Sequence, residues 1–245
     1  MKLILKITIL LVISTLYSLA DTYEERKFII EAKVGILPSI QIMEIGTELK
    51  KNGNYFDYIF DIKSKNLVKF INETNGRGTV RGTFSNNEYY PYDYTYSYKR
   101  KEKNKYIRII YENNDIKKII IRPEYDKSKL SPLTETMLKK TMPPPTFFLS
   151  ILNYKNINNC QKTFRVFDGK RRYDIKFNKS KNLSKDFIEC EATQVKIGGY
   201  KEKESDVFAN SDFIKIVYEN NIENKFLRYE AKNGPINILI TEKTN

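Results

Sequence analysis

Residues 89–99 read YYPYDYTYSYK, and their alternation decides the fold. Tyr90, Tyr92, Tyr94, Tyr96 and Tyr98 occupy every second position, with Pro91, Asp93, Thr95, Ser97 and Lys99 between them. Successive side chains of a strand point to opposite faces, so the spacing predicts a β-strand carrying five phenols on one face. A phenol is apolar in its body and needs a hydrogen-bond partner at its tip when buried. Two readings of the face follow. Either it walls a cavity for lipid chains or sugar rings, or it is ordinary core packing whose hydroxyls reach the sheet edge.

The same period-two pattern, rich in β-branched and aromatic residues, recurs along the chain. It predicts further strands at Lys27–Lys33, Ile36–Glu44, Tyr55–Ile62, Gly78–Phe84, Tyr106–Tyr111, Ile116–Arg122 and Thr163–Phe167. Beyond these come Arg171–Asn178, Phe187–Ile197, Phe213–Tyr218, Phe226–Ala231 and Ile236–Thr241. Asn52-Gly53, Asp168-Gly169 and Asn233-Gly234 tolerate positive φ, as tight hairpins require, and Asn113-Asn114-Asp115 also reads as a turn. Consecutive hairpins give an antiparallel meander.

Residues 123–153 break the pattern. Pro123, Pro132 and Pro143-Pro144-Pro145 exclude regular sheet there. Thr134–Lys140 is expected to form a short helix. Thr146 is expected to cap a second, of about two turns, in the apolar run ending at Leu152; the alternative for that run is one more strand. A buried helix against a curved sheet is its natural use. The region reads as a connector within a single β domain spanning residues 21–245.

Composition sets the outer bounds. With 245 residues, 40 % hydrophobic and 13 % aromatic, the chain can bury a sizeable core and is not disordered. Histidine is absent, which removes Ser-His-Asp and Cys-His catalysis and the usual zinc sites. Two cysteines are too few for an all-thiolate metal site. No G-x-S-x-G, phosphate-binding loop or G-x-G-x-x-G is present. The residues therefore point to no catalytic group, no cofactor and no metal; a carboxylate-only hydrolase is the enzymatic alternative.

Residues 1–20, MKLILKITILLVISTLYSLA, have a basic start at Lys2 and Lys6, an apolar stretch and small residues Ser18 and Ala20 before Asp21. This is the layout of a cleavable secretory signal; an uncleaved anchor is the competing reading. Position 21 is Asp rather than Cys, which argues against a lipid anchor at that site. No other long apolar run exists, so no stable membrane span is expected after cleavage near Ala20. The formal charge of +13 suits anionic partners. Export argues against nucleic acid, and the 33 lysines among 43 basic residues also fit a merely solvated surface. In an exported chain Cys160 and Cys190 suggest a disulfide, against two separate buried thiols.

Residues 164–177, FRVFDGKRRYDIKF, form a second constellation. A two-residue turn at Asp168-Gly169 would set Arg165 opposite Arg172 with Asp174 diagonal to Arg165. Arg165, Arg171 and Arg172 then make a candidate anion site, or the hairpin simply carries a surface ion-pair cluster.

The run Cys160, Val166-Phe167-Asp168-Gly169-Lys170-Arg171-Arg172-Tyr173-Asp174, followed by Cys190 and Gly198-Gly199-Tyr200, resembles an uncharacterised family of exported proteobacterial proteins, the domain-of-unknown-function family DUF3108. The proline-rich stretch with its apolar helix at Pro143–Leu152 and the end at Asn233–Ile240 fit that layout; Lys170 departs from the family's arginine but keeps the charge. The resemblance implies a strongly curved antiparallel sheet around a helix, an open or half β-barrel similar to periplasmic lipoprotein carriers. It brings no activity and no catalytic residues. The expectation is a non-enzymatic periplasmic protein of envelope maintenance that holds a lipid or lipoprotein acyl chain against the tyrosine wall. A module binding an envelope protein or polysaccharide is the alternative.

Overall fold

The computed structural model describes residues 21–66, 73–100, 103–155, 157, 160–202, 211, 213–221 and 224–243. The expected signal at 1–20 lies outside them. Thirteen strands form one antiparallel sheet: β1 (Thr22–Val34), β2 (Ile40–Asn52), β3 (Tyr55–Ser64), β4 (Thr74–Ser85), β5 (Glu88–Arg100), β6 (Lys103–Glu112), β7 (Asp115–Arg122), β8 (Thr163–Phe167), β9 (Arg172–Asn182), β10 (Phe187–Gly198), β11 (Phe213–Glu219), β12 (Phe226–Asn233) and β13 (Ile236–Glu242). The spatial order runs β7 to β1 and then β13 down to β8. Two meanders are thus joined where the first strand pairs with the last, Ile30 opposite Ile240.

β7 and β8 are the two edges and do not pair, so the barrel stays open. The segment between them spans the opening. Met142 bridges to Val166 beside β8, and the Lys140 N–H donates to the Asp115 carboxylate at the start of β7. The β8–β9 turn reaches across to the opposite edge. A Cβ placed on Gly169 would lie 3.0 Å from Ile107 Cγ2 and 3.6 Å from Ile121 Cδ1, and Tyr125 donates to the Gly169 carbonyl. An edge that offers unpaired backbone groups is thereby partly covered by the chain's own connector.

Helix α1 (Glu135–Leu138) is capped by the Thr134 hydroxyl. Helix α2 (Pro144–Leu152) lies within the curve of the sheet. Its start differs from the expectation: Thr146 is not the cap. Pro143 holds that place, and its carbonyl accepts from the N–H groups of Thr146 and Phe147. Pro144 and Pro145 occupy the first turn, where a missing N–H costs nothing. At the other end Tyr218 donates to the Ile151 carbonyl at 3.0 Å. Phe147, Ile151 and Leu152 belong to the hydrophobic cluster built on β1 and β8–β13, whereas Leu149 joins the cluster built mainly on β2–β6. Burying each such side chain is worth about 1.5–3 kcal/mol, so α2 ties the two halves together.

The disulfide Cys160–Cys190 is formed, with both residues fully buried and Cα atoms 5.7 Å apart. It fastens the segment after α2 to β10.

Two local departures have physical causes. The strand expected from Ile36 starts instead at Ile40, because Gly35 takes φ +56° and Pro38 cannot donate to a ladder. Ile36 is left 99 % exposed. The β8–β9 turn has four residues rather than two: Asp168 accepts backbone N–H bonds from Lys170 and Arg171, so Phe167 pairs with Arg172 and Arg165 with Asp174. Arg165 and Arg172 are therefore not opposite each other.

Candidate functional site

Between α2 and the concave face lies a hollow of about 460 Å³. The volume falls within the ~300–1,000 Å³ usual for small-molecule sites. Its lining is overwhelmingly apolar, with Ile30, Ile45 and Ile240 from the sheet and Pro144, Phe147 and Phe148 from the helix.

The tyrosine wall enters this hollow only in part. The β4–β5 ladder shifts register after Arg81, which pairs with Asp93 while Gly82 pairs with Pro91. One extra residue on β5 reverses the parity of its faces. Tyr94, Tyr96 and Tyr98 line the hollow; Tyr92 is 44 % exposed, and Tyr90 instead donates to Glu88 at 2.8 Å outside it. Five phenols on one face is thus corrected to three, and Tyr89 takes an inward place that alternation had not given it. Tyr96 and Tyr98 stack at 4.8 Å, and Phe60 lies 5.4 Å from Tyr96.

Glycines make room for these rings. A Cβ on Gly76 would stand 2.7 Å from both Tyr96 and Tyr98, and one on Gly78 would stand 2.2 Å from Phe60. Only a strand without side chains at these inward positions lets its neighbours' rings lie across it. The spacing Gly76-x-Gly78 was the available signal, since a strand interior disfavours glycine.

The arginines separate into three environments. Arg171 reaches the hollow with Asp168, and the two pair at 2.7 Å between Nε and Oδ2. Arg172 is buried, bound to Asp174 at 2.7 Å and donating to the Met137 carbonyl at 2.9 Å. Arg165 is exposed and approaches the Lys139 carbonyl at 3.5 Å. The hairpin thus places no three-arginine anion cluster; it brings Arg171 alone beside Tyr94, Tyr96 and Tyr98. Gln194 and Tyr173, also in the lining, arrive from β10 and β9 and carry no sequence pattern that marks them.

Burial raises the pKa of Tyr94, Tyr96 and Tyr173 above the ordinary phenol value. These hydroxyls stay neutral, so the hollow presents hydrogen-bonding tips and one ion pair on an apolar surface. Among the described residues no group of three or more Cys, Asp or Glu side chains is placed to hold a metal ion, and no helix is long and apolar enough to cross a membrane.

No family model and no curated protein matches the chain. Among solved structures it is similar to a beta-barrel-like protein of domain of unknown function DUF1849 from Brucella abortus, at 9 % identity over 91 % of this chain and 95 % of that chain, with a TM-score of 0.49.

Proposed function

We propose that this protein is a non-catalytic carrier of the cell envelope that holds one molecule with a long apolar chain, such as a lipid or a lipoprotein acyl group, beneath α2. The observation that carries the reading is the hollow itself: about 460 Å³ of aromatic and aliphatic lining with the Asp168–Arg171 pair in the same wall. Apolar surface left unfilled inside a fold forfeits the contacts a guest would restore. Neutral phenols and a carboxylate already engaged by Arg171 suit binding better than proton transfer. Export is supported by the leader-like residues 1–20 and by the disulfide.

Native mass spectrometry of protein purified without detergent tests the reading. The expected spectrum contains a complex with one lipid per chain. Protein that emerges empty and takes up no added fatty acid would overturn it. Expression with residues 1–20 intact should give a secreted product beginning at Asp21, as read from its intact mass.

A further inference from the structure

A second concavity shares no lining residue with the hollow. It is an open groove of about 940 Å³ at the end where the β4–β5 and β6–β7 turns, the connector, the exit of α2 and the start of β8 converge. Its lining mixes apolar and polar groups in near-equal measure and carries lysines that the hollow lacks. Lys139, Lys140, Lys155 and Arg165 are exposed along it. Among the described lining residues the one carboxylate is Glu88, which accepts from Lys162 at 2.6 Å and from Tyr90 at 2.8 Å. Those bonds, led by the Lys162 ammonium, hold its carboxyl below the ordinary range. A cleft lined by one sign of charge concentrates counter-ions.

Between the cations stand neutral donors and acceptors: Asn86, Asn87 and Asn114 at the turn tips, Gln161 before β8 and Thr163 at its start. Amides both give and accept hydrogen bonds, which matches a surface of hydroxyls. Lysine and arginine pair with carboxylate and phosphate alike, so it is the neutral amides that favour a sugar chain. Lys140 lies just past the C-cap of α1. Its φ is +52°, a left-handed conformation that glycine or asparagine adopts far more cheaply than lysine.

We infer that the groove between the β4–β5 turn and the connector binds an acidic oligosaccharide, its carboxylates on Lys139, Lys140 and Arg165 and its hydroxyls on the asparagine amides. This site is independent of a guest in the hollow.

The test is calorimetric titration with an oligogalacturonate, with maltohexaose as the neutral counterpart and polyphosphate as the phosphate counterpart. The oligogalacturonate should bind and maltohexaose should not. The variant Lys139→Ala/Lys140→Gly/Arg165→Ala should lose about tenfold or more in affinity, the sum of three exposed ion pairs. A charge-matched control, Lys33→Ala/Lys99→Ala/Lys232→Ala, removes exposed lysines elsewhere and should bind like the parent. Lys140→Gly alone should weaken binding while raising the thermal midpoint, a combination that a purely structural lysine would not give. Equal loss in the control, undiminished binding by the groove variant, or tighter binding of polyphosphate would overturn the assignment.

Discussion

Gly78→Ala isolates the packing that shapes the hollow. The new methyl would sit 2.2 Å from Phe60 Cζ and 2.6 Å from the Thr95 backbone oxygen. Carbon atoms pack at about 3.5–4.0 Å, so the Phe60 ring must move by more than an ångström while the backbone oxygen holds its place in the ladder. Overpacking of this kind costs about 1–3 kcal/mol. Replacing a strand glycine by alanine, taken alone, gains about 0.5–1 kcal/mol. The net expectation is a loss of about 1–2 kcal/mol, together with weaker binding in the hollow as Phe60 is driven into it. Gly46→Ala is the matched control: it lies within β2, and a Cβ there meets nothing within 4 Å. That variant should gain about 0.5–1 kcal/mol. Urea unfolding at constant slope reads both. Two shifts of opposite sign are required; a Gly78→Ala protein as stable as the parent, or moving with Gly46→Ala, would refute the reasoning.

Other consequences are equally direct. Replacing both Cys160 and Cys190 by serine should lower stability by about 3–4 kcal/mol, the loop-closure value for a cross-link across 30 residues; a urea midpoint unchanged from the oxidised parent would contradict it. Arg172→Met should cost about 3–5 kcal/mol by leaving the Asp174 carboxylate without its buried partner, and Arg172→Lys should not restore the loss. Burial holds Tyr94, Tyr173 and Tyr218 well above the ordinary phenol pKa of 10.0. Because the folded state keeps these protons after the unfolded chain would release them, the stability they lend is complete below pH 10 and falls as pH rises beyond it. Each buried phenol contributes a slope of about 1.4 kcal/mol per pH unit, so after the exposed tyrosines ionise gradually the buried ones should add their absorbance together with unfolding in one steep step; smooth titration of all tyrosines in a folded protein would exclude it.

Much of this architecture is written in local pattern. Period-two alternation marks every strand, and the Asn-Gly and Asn-Asn tips mark hairpins because they accept positive φ, as at Asn113 and Asn114. The features that escape reading depend on pairing between strands. Nothing within residues 89–99 reveals the extra residue near Tyr92, because a bulge is defined by the partner strand. The turn at Asp168 is lengthened by a side-chain oxygen reaching two backbone N–H groups, a competition that the Asp-Gly dipeptide alone does not disclose. The helix was legible from its prolines and apolar run, yet its start moved because Pro143 takes the cap position and Pro144 and Pro145 tolerate the first turn. The candidate site is a tertiary object: Tyr94 to Tyr98 and Arg171 are far apart in sequence and meet only once the sheet curves around α2.

The most direct measurement is a titration with cis-parinaric acid, a fatty acid whose fluorescence rises in an apolar setting, on the parent and on Ile62→Trp, which narrows the hollow at a half-buried position. A carrier predicts saturation at one equivalent per chain and clearly weaker binding by the variant. No rise in fluorescence, or superimposable titrations of the two proteins, would contradict it.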